Sequence, residues 1–204
     1  MKIGIIGAGA IGQAIARTLH PAGIDAVIAN SRGPASLAHL EAELGPHIRA
    51  AAVQEASAAD IVFVAVNWSK IPLATQGLGP WNGRIVIDAN NPIEAPAFVP
   101  VELHGRPSSA VVAQLVPGAR VVKAFNHLQP SVLAGDPKAE GGRRVLFVAG
   151  DDAAAKTTVL QLIERLGFSG IDLGTLDGGG RLSQFPGGVL PSLNLVSFGY
   201  TGTP

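Results

Sequence analysis

The stretch "GIIGAGAIGQA" places Gly7, Gly9 and Gly12 in a G-x-G-x-x-G spacing. It follows an apolar strand-like run and opens an amphipathic helical pattern, the context in which this spacing holds a dinucleotide. Gly7 permits a tight turn, Gly9 lets a pyrophosphate approach the backbone, and Gly12 lets the helix pack closely on the strand. Free N–H groups of the first helical turn, around Ala10 and Ile11, then point at the phosphates, aided by the helix dipole. At the end of the second strand-like run an acidic residue would accept hydrogen bonds from the ribose hydroxyls of NAD. This chain has Asn30, Ser31 and Arg32 there. A carboxylate repels a 2′-phosphate, whereas a guanidinium pairs it through two N–H groups. These residue types favour NADP(H) over NAD(H).

Further candidates stand just beyond later strand-like runs, where ligands bind in open α/β sheets. They are Trp68, Phe125, Asn126 and His127. Each has a plainer reading. Trp68 serves equally well as a cap on the core, and Phe125, directly after an apolar run, fits the core better than a ring-stacking role. His127 is suited to positioning an acceptor carbonyl or protonating a reduced ring, and equally to a surface loop. Lys123 falls inside a strand, so its ammonium must snorkel or find a partner. Gly187 and Gly188 either let a loop approach a flat ligand or shape a turn. The remaining histidines, His20, His39, His47 and His104, have no ligand pattern around them, and the chain has no cysteine. No metal site is expected.

The elements that must position these residues alternate. "KIGII", "DAVIA", "DIVFVAV", "RIVIDA", "RVVKAF" and "RRVLFVAG" read as buried strands, with weaker ones in "HIRAAAV" and "FSGIDLG". Helical faces lie between them: Ile11, Ile15 and Leu19; Leu37, Leu40 and Leu44; and Val159, Leu162, Ile163 and Leu166. Asp151 or Asp152 can cap the last of these, and Gly167 can close it. The alternation predicts an α/β fold: a Rossmann-like, doubly wound, mainly parallel sheet with a small C-terminal extension. The expected division is residues 1–125 as the NADP-binding part. Residues 126–204 form a smaller portion that completes the sheet and covers the acceptor site, all in one compact unit.

Of the 204 residues, 47% are apolar and 15% charged, with a formal net charge of zero. That balance gives no electrostatic reason to expect nucleic acid or an acidic membrane surface. No run of about 18 apolar residues exists to span a bilayer. The N-terminus lacks the pattern of a signal peptide. A cytoplasmic protein is expected.

The glycine turn, "NSRG", "VAVNW", "VIDANNP", "VVKAFNH", "FVAGDD" and "GTLDGGGRLSQFPGG" occur in an order and spacing that resembles the NADPH-dependent deazaflavin reductases, or F420:NADP oxidoreductases. The resemblance runs from Lys2 to about Leu195. More distantly, "VVKAFN" is similar to a segment of the NADPH-binding domain of the STEAP ferric reductases. The resemblance implies a Rossmann domain with a small C-terminal portion, hydride transfer between NADP and a deazaflavin, and a homodimer. It implies that Ser31 and Arg32 contact the 2′-phosphate. Ala65, Val66, Asn67 and Trp68 would pass beside the nicotinamide ribose, with Asn90, Asn91 and Pro92 in the next loop. Phe125, Asn126 and His127 would border the deazaflavin. Asn126 stands where the archaeal reductases resemble one another in carrying a histidine, so FMN or FAD is a second candidate acceptor.

Hydride transfer between a nicotinamide and a flavin-like ring requires only that the two carbons be held about 3–3.5 Å apart with water kept away. No acid, base or nucleophile is obligatory. The acceptor cleft is expected among Trp68, Asn90, Phe125, Asn126 and His127. Other oxidoreductase classes lack their parts here. The Tyr-x-x-x-Lys pair of short-chain dehydrogenases is missing, since the one tyrosine, Tyr200, has no lysine after it. An imine or keto-acid reductase would need a large helical domain after the Rossmann part. A non-catalytic NADP(H) sensor, using "GGVLPSLNLVSFGY" as its interaction element, is the alternative of a different class.

Overall fold

The computed structural model describes residues 1–199; Tyr200, on which the dehydrogenase comparison turned, lies outside the described residues. The first half alternates strands and helices in short steps. It runs β1 (Ile3–Ile6), α1 (Ala10–Leu19), β2 (Ala26–Ala29), α2 (Ala38–Leu44), β3 (Ile48–Ala50), α3 (Val53–Ser57), β4 (Ile61–Val64), α4 (Ile71–Thr75) and β5 (Ile85–Asp88). A small hairpin, β6 (Ile93–Glu94) and β7 (Val99–Pro100), precedes α5 (Ser108–Leu115) and β8 (Arg120–Ala124). The rest comprises α6 (Pro130–Leu133), β9 (Lys138–Ala139), β10 (Gly142–Gly150), α7 (Ala153–Arg165), β11 (Ser169–Asp172), α8 (Gly179–Ser183) and β12 (Val196–Ser197).

The main sheet has the order β11-β10-β8-β5-β4-β1-β2-β3. The six strands from β3 to β8 are all parallel. The chain winds outward from β1 through β2 and β3, then returns to lay β4, β5 and β8 on the other side. That reversal makes a Rossmann-like, doubly wound sheet with a crevice between β1 and β4. The long strand β10 runs antiparallel to β8, and β11 joins parallel to β10. Residues after 125 thus extend the same sheet and share its face with the earlier strands.

Alternation along the strands sorts the core into two layers. Ile3, Ile5, Ile61, Phe63, Ile85 and Ile87 face one side, with Ile15 and Leu19 of α1 and Val159, Leu162 and Ile163 of α7. Ile6, Val62, Val64 and Val86 face the other, with Val112 of α5 and both tryptophans. Asp152 is the residue that caps α7, accepting from Ala155 N at 2.7 Å, while Asp151 accepts from Leu176 N. Because α7, β8 and β10 share the core layer of α1, thermal unfolding is expected to be one transition whose midpoint NADPH raises. Two calorimetric peaks, with NADPH moving only one, would mean that residues 126–204 melt as a separate unit.

Candidate functional site

At the C-terminal ends of β2, β1, β4, β5 and β8 lies a cavity of about 1070 Å³. Its lining follows sheet order: Asn30 and Ser31, then Gly7 to Ile11, Ala65 to Asn67, Ala89 to Asn91, and Asn126 to Leu128. Pockets for a single small ligand run roughly 300–1,000 Å³. The space therefore lies at the large end of that range.

The glycine turn behaves as its spacing requires. Gly7 has φ +108°, and a Cβ there would collide with the Ala65 carbonyl; one on Gly12 would collide with the Gly7 carbonyl. These two glycines serve the packing of α1 on the sheet. Gly9 differs. It caps α1 with ordinary extended angles, and a Cβ there would meet no protein atom within 4 Å. The room at Gly9 belongs to whatever occupies the cavity. The α1 N-terminus behind it presents no acidic side chain in its first turn. Such a cradle fits a pyrophosphate.

Asn30 works on its own loop. Its Oδ1 accepts from Arg32 N at 2.8 Å, and its Nδ2 donates to Ser36 Oγ at 2.9 Å. This shapes the turn that presents Ser31 to the cavity. Arg32 is exposed, does not line the cavity wall, and has no ion-pair partner among the described residues.

Beneath the other end, Lys123 and Asp88 form an ion pair at 3.2 Å with both side chains fully buried. Lys123 Nζ also donates to the Asn90 carbonyl at 2.9 Å, and Ser109 Oγ donates to Asp88 Oδ2 at 2.6 Å. The partner that the lysine required is thus Asp88. Asn90 Nδ2 donates to Asp88 Oδ1, and Asn90 Oδ1 accepts from Val66 N, both at 2.9 Å. A second clip joins the loops after β5 and β8. Asn91 Nδ2 donates to the Asn126 carbonyl, and Asn126 Nδ2 donates to Asn91 Oδ1 and to the Ser183 carbonyl. With both of its N–H groups engaged, Asn126 has only Oδ1 left, a buried acceptor without a partner.

His127 is 3% exposed, with its ring 4.7 Å from that of Phe147. Neither ring nitrogen finds a full hydrogen-bond partner. Burial pushes its pKa down to about 4, opposed only in part by the Val145 backbone. The ring is neutral at pH 7; its burial sets aside the surface-loop reading of His127, and its neutrality removes a standing proton donor. Protonation is easier in the unfolded chain, at about pH 6.5. The contribution of the neutral, buried ring to stability is therefore complete above about pH 6.5 and is lost as pH falls toward 4 and below. The loss reaches ~3 kcal/mol. Urea midpoints measured from pH 8 to pH 4 should fall more steeply for wild type than for His127→Gln; parallel curves would refute the assignment.

Trp68 and Phe125 take the plainer of their two readings, as core residues, and leave the expected acceptor cleft. Trp68 is 8% exposed in the second core layer, and Phe125 is fully buried, edge-on to Phe63 at 5.1 Å. Neither lines the cavity. Both follow strand ends, but their side chains turn inward because the apolar contacts lie there. Gly188 shapes a turn, since a Cβ on it would strike the Leu182, Arg181 and Gln184 carbonyls. The structure adds residues that sequence reasoning missed: Asp88, Ser109, Lys70, Phe98 and Phe185. The last three line the cavity. Asp88 was detectable as a carboxylate ending an apolar strand; Phe98 and Phe185 carried no signal. Among the described residues, Lys70 is the one Lys, Arg, Asp or Glu in the lining.

A glycine-turn crevice continued by a largely uncharged cavity is the arrangement of a dinucleotide-dependent oxidoreductase. Residues 2–92 match the family described as NADP oxidoreductase, coenzyme F420-dependent, which makes this part of the chain similar to NADP-dependent oxidoreductases. The crystal structure of the hypothetical protein SMa0349 from Sinorhizobium meliloti is similar at 47% identity and a TM-score of 0.91, covering 97% of this chain and 96% of that one. A protein from Arthrobacter sp. FB24, described as an F420-dependent NADP-reductase, is similar at 29% identity and a TM-score of 0.74, with 86% of each chain covered. Metalloreductase STEAP3 of Rattus norvegicus is 31% identical over 196 residues, which span 94% of this chain but 37% of that protein. The chain thus spans well under half the length of the curated relatives it matches. Among the described residues, no helix is long and apolar enough to cross a membrane.

Proposed function

We propose that this chain transfers a hydride between NADP(H) and a planar deazaflavin or flavin ring held in the same cavity. The observation that carries the reading is the cavity itself. It runs unbroken from Ser31, past the Gly9 cradle, to Asn126 and Phe185, and among the described residues no carboxylate lines it. In this reading the pyrophosphate rests on the α1 N-terminus around Ala10 and Ile11. Ser31 and Arg32 take the 2′-phosphate. Ala65, Val66, Asn67 and Asn90 form the wall along the nicotinamide end.

When bound, NADPH would supply a hydride from its C4 to the acceptor ring, at carbon C5 of a deazaflavin or nitrogen N5 of a flavin, with solvent supplying the accompanying proton. The chain orients the two rings and keeps water out. Leu73, Phe98 and Phe185 supply apolar surface for a flat acceptor, and His127 stays neutral. With C4-deuterated NADPH and coenzyme F420, label should appear on the reduced deazaflavin carbon. Reduction of a ketone or imine, with no turnover of any flavin or deazaflavin, would refute the proposal.

The identity to STEAP3 favours a second reading, metal-ion reduction. NADPH delivers electrons in pairs and a metal ion takes one, so that route also requires an intervening ring. Ferric reduction that depends on added FMN or FAD would support it. We further infer a homodimer, supported by the exposed apolar side chains of Phe98, Val99 and Val189. Light scattering that gives the monomer mass would refute it.

Cofactor choice tests the other end of the cavity. NADPH should bind at least about tenfold more tightly than NADH, roughly 1.4 kcal/mol. Arg32→Ala should remove most of that preference and leave NADH affinity nearly unchanged. Equal affinities in wild type would overturn the 2′-phosphate assignment.

A further inference from the structure

The buried Lys123–Asp88 pair lies outside the cavity and touches nothing in it, yet it is bonded to a residue that does line the wall. Burying an ion pair gains little stability by itself, because desolvation offsets the attraction. Here both side chains are fully buried, and apart from the Ser109 hydrogen bond their remaining partners are all atoms of Asn90, which lines the cavity. Asp88 Oδ1 accepts from both Asn90 N and Asn90 Nδ2, at 3.0 and 2.9 Å. Its other oxygen is held by Lys123 and Ser109. Lys123 additionally holds the Asn90 carbonyl.

The Asn90 amide is consequently fixed in both position and polarity. A carboxylate can only accept, so it demands the NH₂ end; the Val66 N–H demands the oxygen end. One N–H of Asn90 Nδ2 is left over. Asn90 is 4% exposed and lines the cavity. Its place along the cavity follows from strand order. The Gly9 cradle is at β1 and the Ser31 loop at β2, so a dinucleotide anchored there extends its nicotinamide end toward β4 and β5. Val66 and Asn90 are the residues at those two strand ends.

We propose that Lys123 and Asp88 are positioning residues that orient the Asn90 amide, so that its remaining N–H meets a carbonyl-type oxygen at the nicotinamide end of the dinucleotide. The inference rests on the NADP reading but does not depend on the identity of the acceptor. Lys123 neutralises Asp88 and locks it toward Asn90. Ser109 of α5 completes the carboxylate's bonding, so no water is needed in the buried space.

The test compares two ligands by calorimetric titration: NADPH, and 2′-phospho-ADP-ribose, which is NADP without its nicotinamide. The variants are Lys123→Met, Asp88→Asn, and the double variant Asp88→Asn/Lys123→Met, with Ser109→Ala as a milder probe. Each single variant leaves a buried group without its counterpart, so melting temperatures should drop. The double variant removes both charges and should recover most of that loss. In the double variant NADPH should still bind at least tenfold more weakly than to wild type, with affinity for 2′-phospho-ADP-ribose unchanged. Ser109→Ala should shift the same ratio in the same direction by a smaller factor.

A purely structural pair would give a different pattern. The double variant would then regain NADPH affinity along with its melting temperature, or both ligands would weaken by one common factor. Either result overturns the proposal, as does a wild-type protein that binds the two ligands equally. A wild-type protein that binds neither ligand instead overturns the NADP reading on which the proposal rests. If the single variants fail to fold, the double variant and Ser109→Ala decide the matter alone.

Discussion

Replacing Gly9 with valine is expected to weaken NADPH and NADH binding alike by more than ~100-fold, about 2.7 kcal/mol, without destabilising the protein. The two halves of that expectation have separate origins. Gly9 has φ −80° and ψ −168°, extended backbone that valine adopts readily. A Cβ there meets no protein atom within 4 Å, so the folded chain accommodates it. The same Cβ projects into the space proposed for the pyrophosphate, which both dinucleotides share, so specificity should not change. Gly12→Val is the contrasting control. Its Cβ would collide with the Gly7 carbonyl, so helix α1 could no longer pack on β1 and the fold itself should suffer. Titration of both cofactors, together with melting curves of both variants, separates the outcomes. If Gly9→Val binds NADPH normally, the pyrophosphate does not rest on this turn.

Truncating Phe125 to alanine should have its largest effect on stability, at about 3–5 kcal/mol, the usual cost of emptying a fully buried aromatic site. For a chain of this size that corresponds to a fall in melting temperature of roughly 10 °C. Phe125 is wholly buried against Phe63, and its backbone is held at φ +63°, in the left-handed region that non-glycine residues seldom occupy. Such a conformation costs of order 1–3 kcal/mol and persists only where surrounding contacts impose it. Here those contacts are the ring's packing on one side and the Asn91–Asn126 clip on the other. The ring therefore acts as an anchor that holds Asn126 and His127 at the cavity. NADPH affinity of the folded variant should stay near normal. Unchanged stability combined with loss of acceptor reduction would return Phe125 to the acceptor wall.

Gly9 and Phe125 differ in how much of their role is local to the chain. Gly9 was legible because a glycine turn is a local device. The strand before it, the helix after it and the spacing within it all lie inside a dozen residues, and each constrains the same backbone. The strands were legible for a related reason: residues buried on both faces of a parallel sheet must be apolar nearly throughout, as in "IGII" and "IVFV". Asn30 was recognised as a neutral replacement for an acid, and Lys123 as a cation needing a partner.

Side-chain direction after a strand end was not legible in that way. Trp68, Phe125, Asn126 and His127 all follow strands, yet only the last two line the cavity. Which way a residue turns there depends on neighbours far away in the chain: Phe63 for Phe125, Phe147 for His127, and Ser183 for Asn126. The antiparallel entry of β10 beside β8 is of the same kind, since an apolar run carries no information about its direction in a sheet. By itself the sequence determined the dinucleotide turn, the alternating α/β pattern and the chemistry available at each position, because those follow from local geometry and residue type. Only the tertiary structure decided that Lys123 meets Asp88, that His127 is buried and neutral, and that Phe98 and Phe185 reach the cavity. Those facts depend on contacts between residues tens of positions apart, whose meeting is fixed by the sum of the packing and by no single segment.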